Sequence, residues 1–145
     1  MKHRVKKMRF GRGYDFNKMM VRKLSVNFFL KGHLSTTLAR LKIIKPFIET
    51  LISKMKKETI SNKNYLLKIL NDPKVVRMGF DNFGKAILNI KGGYLRIIKY
   101  GPRNSDGSEF GRLEWAHPVV IETAKAVETK KIESKKVTPT DSKIK

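Results

Sequence analysis

The sequence predicts an α+β fold: about four helices packed on a small sheet with a C-terminal antiparallel hairpin, flanked by a basic N-terminal arm and a disordered tail. Three observations carry this. Between residues 16 and 80, apolar side chains recur every three or four positions, the period of a helix with one buried face. From residue 94 the pattern gives way to two short runs rich in aromatic and β-branched residues, separated by a Gly/Pro/Asn/Ser loop. Helices come first and strands last, which favours α+β over an alternating α/β order.

The elements follow in order. Asp15 is a candidate cap for a first helix, with Phe16, Met20, Leu24 and Phe28 at i+4 spacing, Met19 beside them, and Lys18 and Arg22 on another face. Lys31-Gly32 provides a basic last turn and a glycine stop. Gly32 to Ser35 is a short connector or a short strand, and Thr36 is the next candidate cap. Leu38, Leu41, Ile44, Ile48, Leu51, Ile52 and Met55 then form the strongest helical stripe in the chain. Pro46 lies inside it. It has no N–H for the Lys42 carbonyl and disfavours helix at Lys45, so a kink or break is expected there. Ser61 is a candidate cap for a third helix, with Tyr65, Leu66, Ile69 and Leu70 inward. Asp72-Pro73 starts a short fourth helix with Val75, Val76, Met78 and Phe80 toward the core, while Gly79 and Gly84 leave its end open. Tyr94 to Tyr100 and Phe110 to Trp115 read as two strands joined by a loop over 101–108. Alternation places Leu95 and Ile97 on one strand face, and Leu113 and Trp115 on one face of the other.

The chain has 145 residues, with 33 Lys+Arg against 12 Asp+Glu and a formal net charge of +21. That length fits one domain, and 40% hydrophobic residues suffice for a core. A domain so positive repels itself unless anions neutralise it, which makes the charge a statement about partners. The absence of cysteine excludes a disulfide scaffold, a cysteine zinc site, an iron–sulfur cluster and a thiol nucleophile. No apolar run approaches the ~18 residues of a membrane span. The basic N-terminal residues are followed by no apolar stretch, so a secretory signal is not expected, and they lack the serines and amphipathic face of a mitochondrial presequence.

The charge divides the chain. Residues 1–14 carry Lys2, Arg4, Lys6, Lys7, Arg9 and Arg12 with His3 and no acid, a composition for a nucleic-acid-binding arm. Residues 123–145 hold seven lysines against three acids and no aromatic residue, so they read as a disordered Lys-rich tail. Residues 15–122 form the single predicted domain. They carry 20 basic residues against nine acids, so the folded part is itself strongly cationic.

No set of residues frames a catalytic site. His3, His33 and His117 have no metal-ligand spacing, and no motif brings two carboxylates together. Gly11-Arg12-Gly13 follows no strand and is followed by no Lys-Ser, so it is not a phosphate loop. Gly92-Gly93 opens a strand, which points to a backbone role rather than a dinucleotide site. Neither enzyme activity, a metal, a cofactor nor a small-molecule substrate is expected. The basic residues have a clearer logic, since Lys and Arg neutralise repeating phosphates with release of counterions. Arg96 and Lys99 share a strand with Ile97 and Ile98, Arg103 sits in the loop, and Tyr14, Tyr94 and Tyr100 are candidates for stacking on bases or for core filling.

An ordered set of strings along the chain is similar to a known family. Met1-Lys2-His3-Arg4 and Phe10-Gly11-Arg12 resemble the start of the seventeenth large-subunit ribosomal protein of bacteria and organelles. Arg22-Lys23-Leu24 fits its first helix, and Thr36-Thr37-Leu38-Ala39-Arg40-Leu41-Lys42 its Thr-Thr-x-x-Lys/Arg-x-Lys segment. Lys45-Pro46 and Glu49-x-Leu51-Ile52 follow. Gly92-Gly93-Tyr94-Leu95-Arg96-Ile97-Ile98-Lys99 is similar to its most specific string, Gly-Gly-Tyr-Thr-Arg-Ile-x-Lys, and Gly101-x-Arg103-x-x-Asp106 and Leu113-Glu114 complete the order. The resemblance spans about residues 1–116. Leu95 departs from the usual threonine, Lys91 from arginine and Lys23 from asparagine, Met78-Gly79-Phe80 loosens a Leu-Phe pair, and Trp115 is unusual in the last strand.

The resemblance implies a structural component of the large ribosomal subunit; a cytoplasmic ribosome is expected ahead of an organellar one, and the family includes both. It implies direct binding to large-subunit ribosomal RNA and neighbouring large-subunit proteins on the side where the nascent chain emerges. The candidate RNA-contacting set is Lys2, His3, Arg4, Lys6, Lys7, Arg9, Arg12, Lys18, Arg22, Arg40, Lys42, Lys63, Lys91, Arg96, Lys99 and Arg103. No membrane or small-molecule partner is implied. The alternative class is a non-specific DNA- or RNA-compacting protein, although no helix-turn-helix, zinc-finger or RNA-recognition string is visible.

Overall fold

A computed structural model describes residues 10–11 and 13–119. In chain order it contains α1 (Gly13–Lys31), β1 (His33–Thr37), α2 (Leu38–Met55), α3 (Ile60–Leu70), α4 (Pro73–Met78), a π-helical turn (Gly79–Gly84), β2 (Leu95–Pro102) and β3 (Glu109–Trp115). The fold is α+β, with four helices and a three-stranded antiparallel sheet in the order β1-β3-β2. The expected hairpin is β2–β3. The segment after Gly32 is a full strand, and it pairs with β3 rather than with its nearer neighbour in sequence.

The α2 stripe forms the centre of the core. All seven of its predicted inward residues are buried, and Phe28, Phe29, Leu66, Leu70, Phe83 and Leu113 join all of them but Leu38 in one cluster. Pro46 does not break the helix. The buried side chains on both sides of it anchor one continuous helix, which outweighs the roughly 3 kcal/mol cost of an interior proline. The hairpin register sets Leu95 opposite Trp115 and Ile97 opposite Leu113, so the two apolar faces coincide and turn inward. Trp115 packs on Phe28 and Phe83 at ring-centroid distances of 5.1 and 5.2 Å.

Several helix starts fall one to three residues from their expected places. α1 begins at Gly13, and Asp15 lies in its first turn, where its charge still complements the positive helix end. Thr36 is buried in β1, and Thr37 takes the cap position of α2. α3 starts at Ile60, with the Thr59 hydroxyl accepting from the Asn62 N–H, so Ser61 is not the cap. Its end is held by Asn71 in the left-handed region. Tyr65, expected inward, is 40% exposed, and Ile69 is only half-buried. Asp72 caps α4 as expected, accepting from the N–H groups of Lys74 and Val75 with Pro73 at the first helical position.

The open end of α4 resolves into the π-helical turn. A Cβ on Gly84 would lie 2.4 Å from the Met55 carbonyl oxygen, so glycine lets two backbones touch there. Gly93 has φ of 69°, which explains the glycine entry to β2. Among the described residues no helix is long and apolar enough to cross a membrane.

Candidate nucleic-acid interface

The strand register builds one charged face. With Leu34, Leu95, Ile97, Leu113 and Trp115 inward, alternation turns His33, Ser35, Arg96, Ile98, Arg112 and Glu114 to the other side. His33, Glu114 and Arg96 form one row across the sheet, and Ser35, Arg112 and Ile98 the next. Arg96 Nε lies 3.4 Å from Glu114 Oε1. With Arg96 largely exposed and Glu114 half-buried, the pair contributes on the order of 1 kcal/mol, so a phosphate can compete for the guanidinium. The register shifts between Lys99 and Gly101, and Tyr100 sits at this irregularity. Its ring is 55% exposed and stacks on Phe110 at 6.4 Å.

The loop beyond β2 is closed by its own side chains. Arg103 donates to both carboxylate oxygens of Asp106, through Nε at 2.9 Å and Nη2 at 2.5 Å. The Ser108 hydroxyl and N–H also donate to Asp106. The Arg103 bond, then the Ser108 bonds, hold the Asp106 carboxyl well below the usual carboxylate range, and Asp106 raises the Arg103 pKa in turn. Arg103 therefore shapes its loop before it meets any partner.

The helical cations divide in the same way. Arg22 is half-buried and donates to the carbonyls of Ile69 at 2.7 Å and Lys68 at 3.2 Å, which completes the C-terminal end of α3. Arg40 lies 6.0 Å from the Phe10 ring centroid, and Asn17 donates to the Phe10 carbonyl. These contacts seat residue 10 against both α1 and α2. Lys18, Lys42, Lys63, Lys91 and Lys99 are exposed. Lys2, His3, Arg4, Lys6, Lys7, Arg9 and Arg12, with the tail over 123–145, lie outside the described residues. Of the three tyrosines named for stacking, Tyr94 is buried. Its hydroxyl donates to the Lys91 carbonyl, and Lys56 sits 4.7 Å above its ring. It is a core tyrosine, while Tyr14 and Tyr100 keep exposed rings.

Among the described residues no group of His, Asp or Glu is placed to hold a metal. The profile described as Ribosomal protein L17 matches residues 20–116, two thirds of the chain and nearly all of the core just described. The chain belongs to the ribosomal protein L17 family. It is similar to the large ribosomal subunit protein bL17 of Neorickettsia sennetsu, 34% identical over 79% of this chain and 99% of that protein. It is similar also to that of Thermomicrobium roseum, 31% identical over 79% of this chain and 98% of the relative. A third relative, from Salinibacter ruber, is 32% identical over 79% of this chain and 58% of its own length. L17 proteins are structural constituents of the ribosome and not enzymes.

The fold brings Arg96 onto a face with two groups absent from the predicted set, Arg112 and His33. The alternation within Phe110 to Trp115 already set Arg112 opposite Leu113. The missing information was that β1 lies beside β3, which carries His33 to the same face. Lys42 and Lys63 sit on separate helices, α2 and α3, and are not part of the sheet.

Proposed function

We propose that this L17 family member binds large-subunit ribosomal RNA and stabilises it during assembly and translation. In this reading residues 1–14 act as an arm threaded between RNA segments, 15–122 act as a rigid wedge, and 123–145 are a dispensable tail. Its neighbours are large-subunit proteins on the nascent-chain exit side of a bacterial cytoplasmic ribosome. The observation that carries the reading is unpaired charge. Residues 15–122 hold 20 basic side chains, and among the described residues three ion pairs occur, Arg77–Asp81, Arg96–Glu114 and Arg103–Asp106, all partly or largely exposed. Such a surplus calls for an extended polyanion.

The test is a binding titration on large-subunit RNA at several salt concentrations, with the full chain and a form lacking residues 2–12. If four of the six arm cations reach phosphates, the slope of log affinity against log salt falls by about 3 on deletion, at about 0.7–0.9 per contact. Equal slopes remove the arm from the interface. Truncation after Glu122 leaves affinity within about tenfold. Co-sedimentation separates the two classes: a ribosomal constituent stays with the large subunit through moderate salt, whereas a DNA compactor leaves with nuclease-treated DNA.

A further inference from the structure

We propose that the groove between α1, α2 and α3 takes up an unpaired nucleobase of the RNA, stacked on Tyr14 and Tyr65, with the adjoining phosphates on Lys18 and Lys68. The inference rests on the RNA-binding reading and adds to it a pocket that recognises a base rather than a backbone.

The groove has a volume of about 590 Å³ and a mainly apolar wall that includes Ile43 and Phe47. Two tyrosines stand in it, Tyr14 at 79% exposure and Tyr65 at 40%. The charged side chains lining it are Lys18, Arg22 and Lys68, and no carboxylate is among them. Lys54 adds a further cation 6.0 Å from the Tyr65 ring centroid. The wall is built in place, because Arg22 is tied to the carbonyls at the end of α3.

A ligand that suits this groove has a flat apolar body and negative charge at its edges. A nucleotide has both. An apolar peptide would leave Lys18 and Lys68 unmatched, and an acidic peptide would leave the rings uncovered. The position agrees: Asn17 lines the groove and also donates to the Phe10 and Gly13 carbonyls, so the chain enters the arm at the groove's rim. An RNA strand followed by the arm therefore passes the groove. Stacking on aromatic faces tolerates any base, so the site selects single-stranded over paired RNA and shows little sequence preference.

The test uses the full chain with three single-stranded probes of equal charge: six uridines, six adenosines and an abasic hexamer. Both base-bearing probes bind about tenfold more tightly than the abasic one. Tyr14→Ala and Tyr65→Ala each remove about five- to tenfold of the affinity for the base-bearing probes and none for the abasic probe, with an unchanged salt slope. Tyr65→Phe behaves as the unsubstituted chain, and thermal melts confirm that each variant is folded. Equal losses on all three probes, or no loss on any, overturn the proposal. So does ultraviolet crosslinking of these tyrosines to protein rather than RNA in purified large subunits. If the hexamers show no base discrimination while large-subunit RNA still binds with its full salt slope, this proposal fails and the RNA-binding reading stands. If large-subunit RNA does not bind at all, both fail.

Discussion

The two halves of α1 have similar apolar spacing and opposite surroundings. In the C-terminal half, Ser25, Phe28 and Phe29 are fully buried. Phe28 packs on Trp115, Phe29 packs on Phe83, and the Ser25 hydroxyl donates to the Val21 carbonyl, which satisfies a buried polar group. In the N-terminal half, Tyr14, Phe16 and Met19 are exposed. Helical period specifies which side chains share a face. Whether that face is covered depends on elements far away in sequence. Here β3 and the π-helical turn cover one half, and the other half is left with a groove and a rim of cations.

That contrast can be broken by experiment. The largest expected effect is Phe28→Ala, which should cost about 4 kcal/mol in chemical denaturation. A loss below about 1 kcal/mol would mean that the C-terminal half is no better covered than the N-terminal half. Next comes Gly84→Ala, at about 3 kcal/mol, because its Cβ meets the Met55 carbonyl and a backbone cannot step aside. Gly79→Ala should cost about 1 kcal/mol, since its Cβ meets the flexible Met55 thioether at 2.8 Å. Reversal of that order would place the tight contact elsewhere.

Arg22 sits where the two halves of α1 meet. Arg22→Met keeps the stem and removes the donors to Ile69 and Lys68. About 1–2 kcal/mol should be lost, with faster amide exchange at the end of α3. Unchanged exchange would free Arg22 for a purely RNA-facing role. Tyr14→Ala should change stability by less than about 0.5 kcal/mol, because so exposed a ring contributes little to the core. A larger loss would place Tyr14 among the structural residues.

The smallest effect concerns the Arg103–Asp106 loop. The Asp106 pKa is depressed, so its contribution to loop closure is complete above the ordinary carboxylate range and is lost as pH falls below it. In the folded protein the NMR signals of the Arg103 side chain and the Ser108 amide should hold through about pH 4 and titrate only well below the ordinary carboxylate range, without moving the global unfolding transition. Titration of these signals near pH 4 would show that Asp106 does not hold the loop.

Much of this was legible from residues close together in the chain. The α2 stripe, the Asp72-Pro73 start, the Lys31-Gly32 stop and the two inward faces of the hairpin depend on spacing within a turn or a strand. The candidate interface was legible mostly as composition, with strand alternation adding the faces of Arg96 and Arg112. Arg22 and Lys18 look alike as cations on one helix, yet one completes the end of α3 and the other is exposed. Tyr94 and Tyr100 sit on one segment, yet one is under Lys56 and the other is open. The partners that distinguish them, the end of α3 for Arg22 and Lys56 for Tyr94, lie more than 30 residues away in the chain.

The α+β class, the central helix, the cationic excess and, through the ordered strings, the family can all be read from the residues in a line. These follow from periodicity, turn chemistry and charge, which act locally or as a sum over the chain. The pairing of β1 with β3, the meeting of Arg112 and His33 with Arg96, and the shared groove of Tyr14 and Tyr65 emerge only in the folded molecule. Those outcomes depend on pairing between segments dozens of residues apart. A strand's partner is chosen by which apolar faces can be buried together, and that choice becomes available only when the whole core closes.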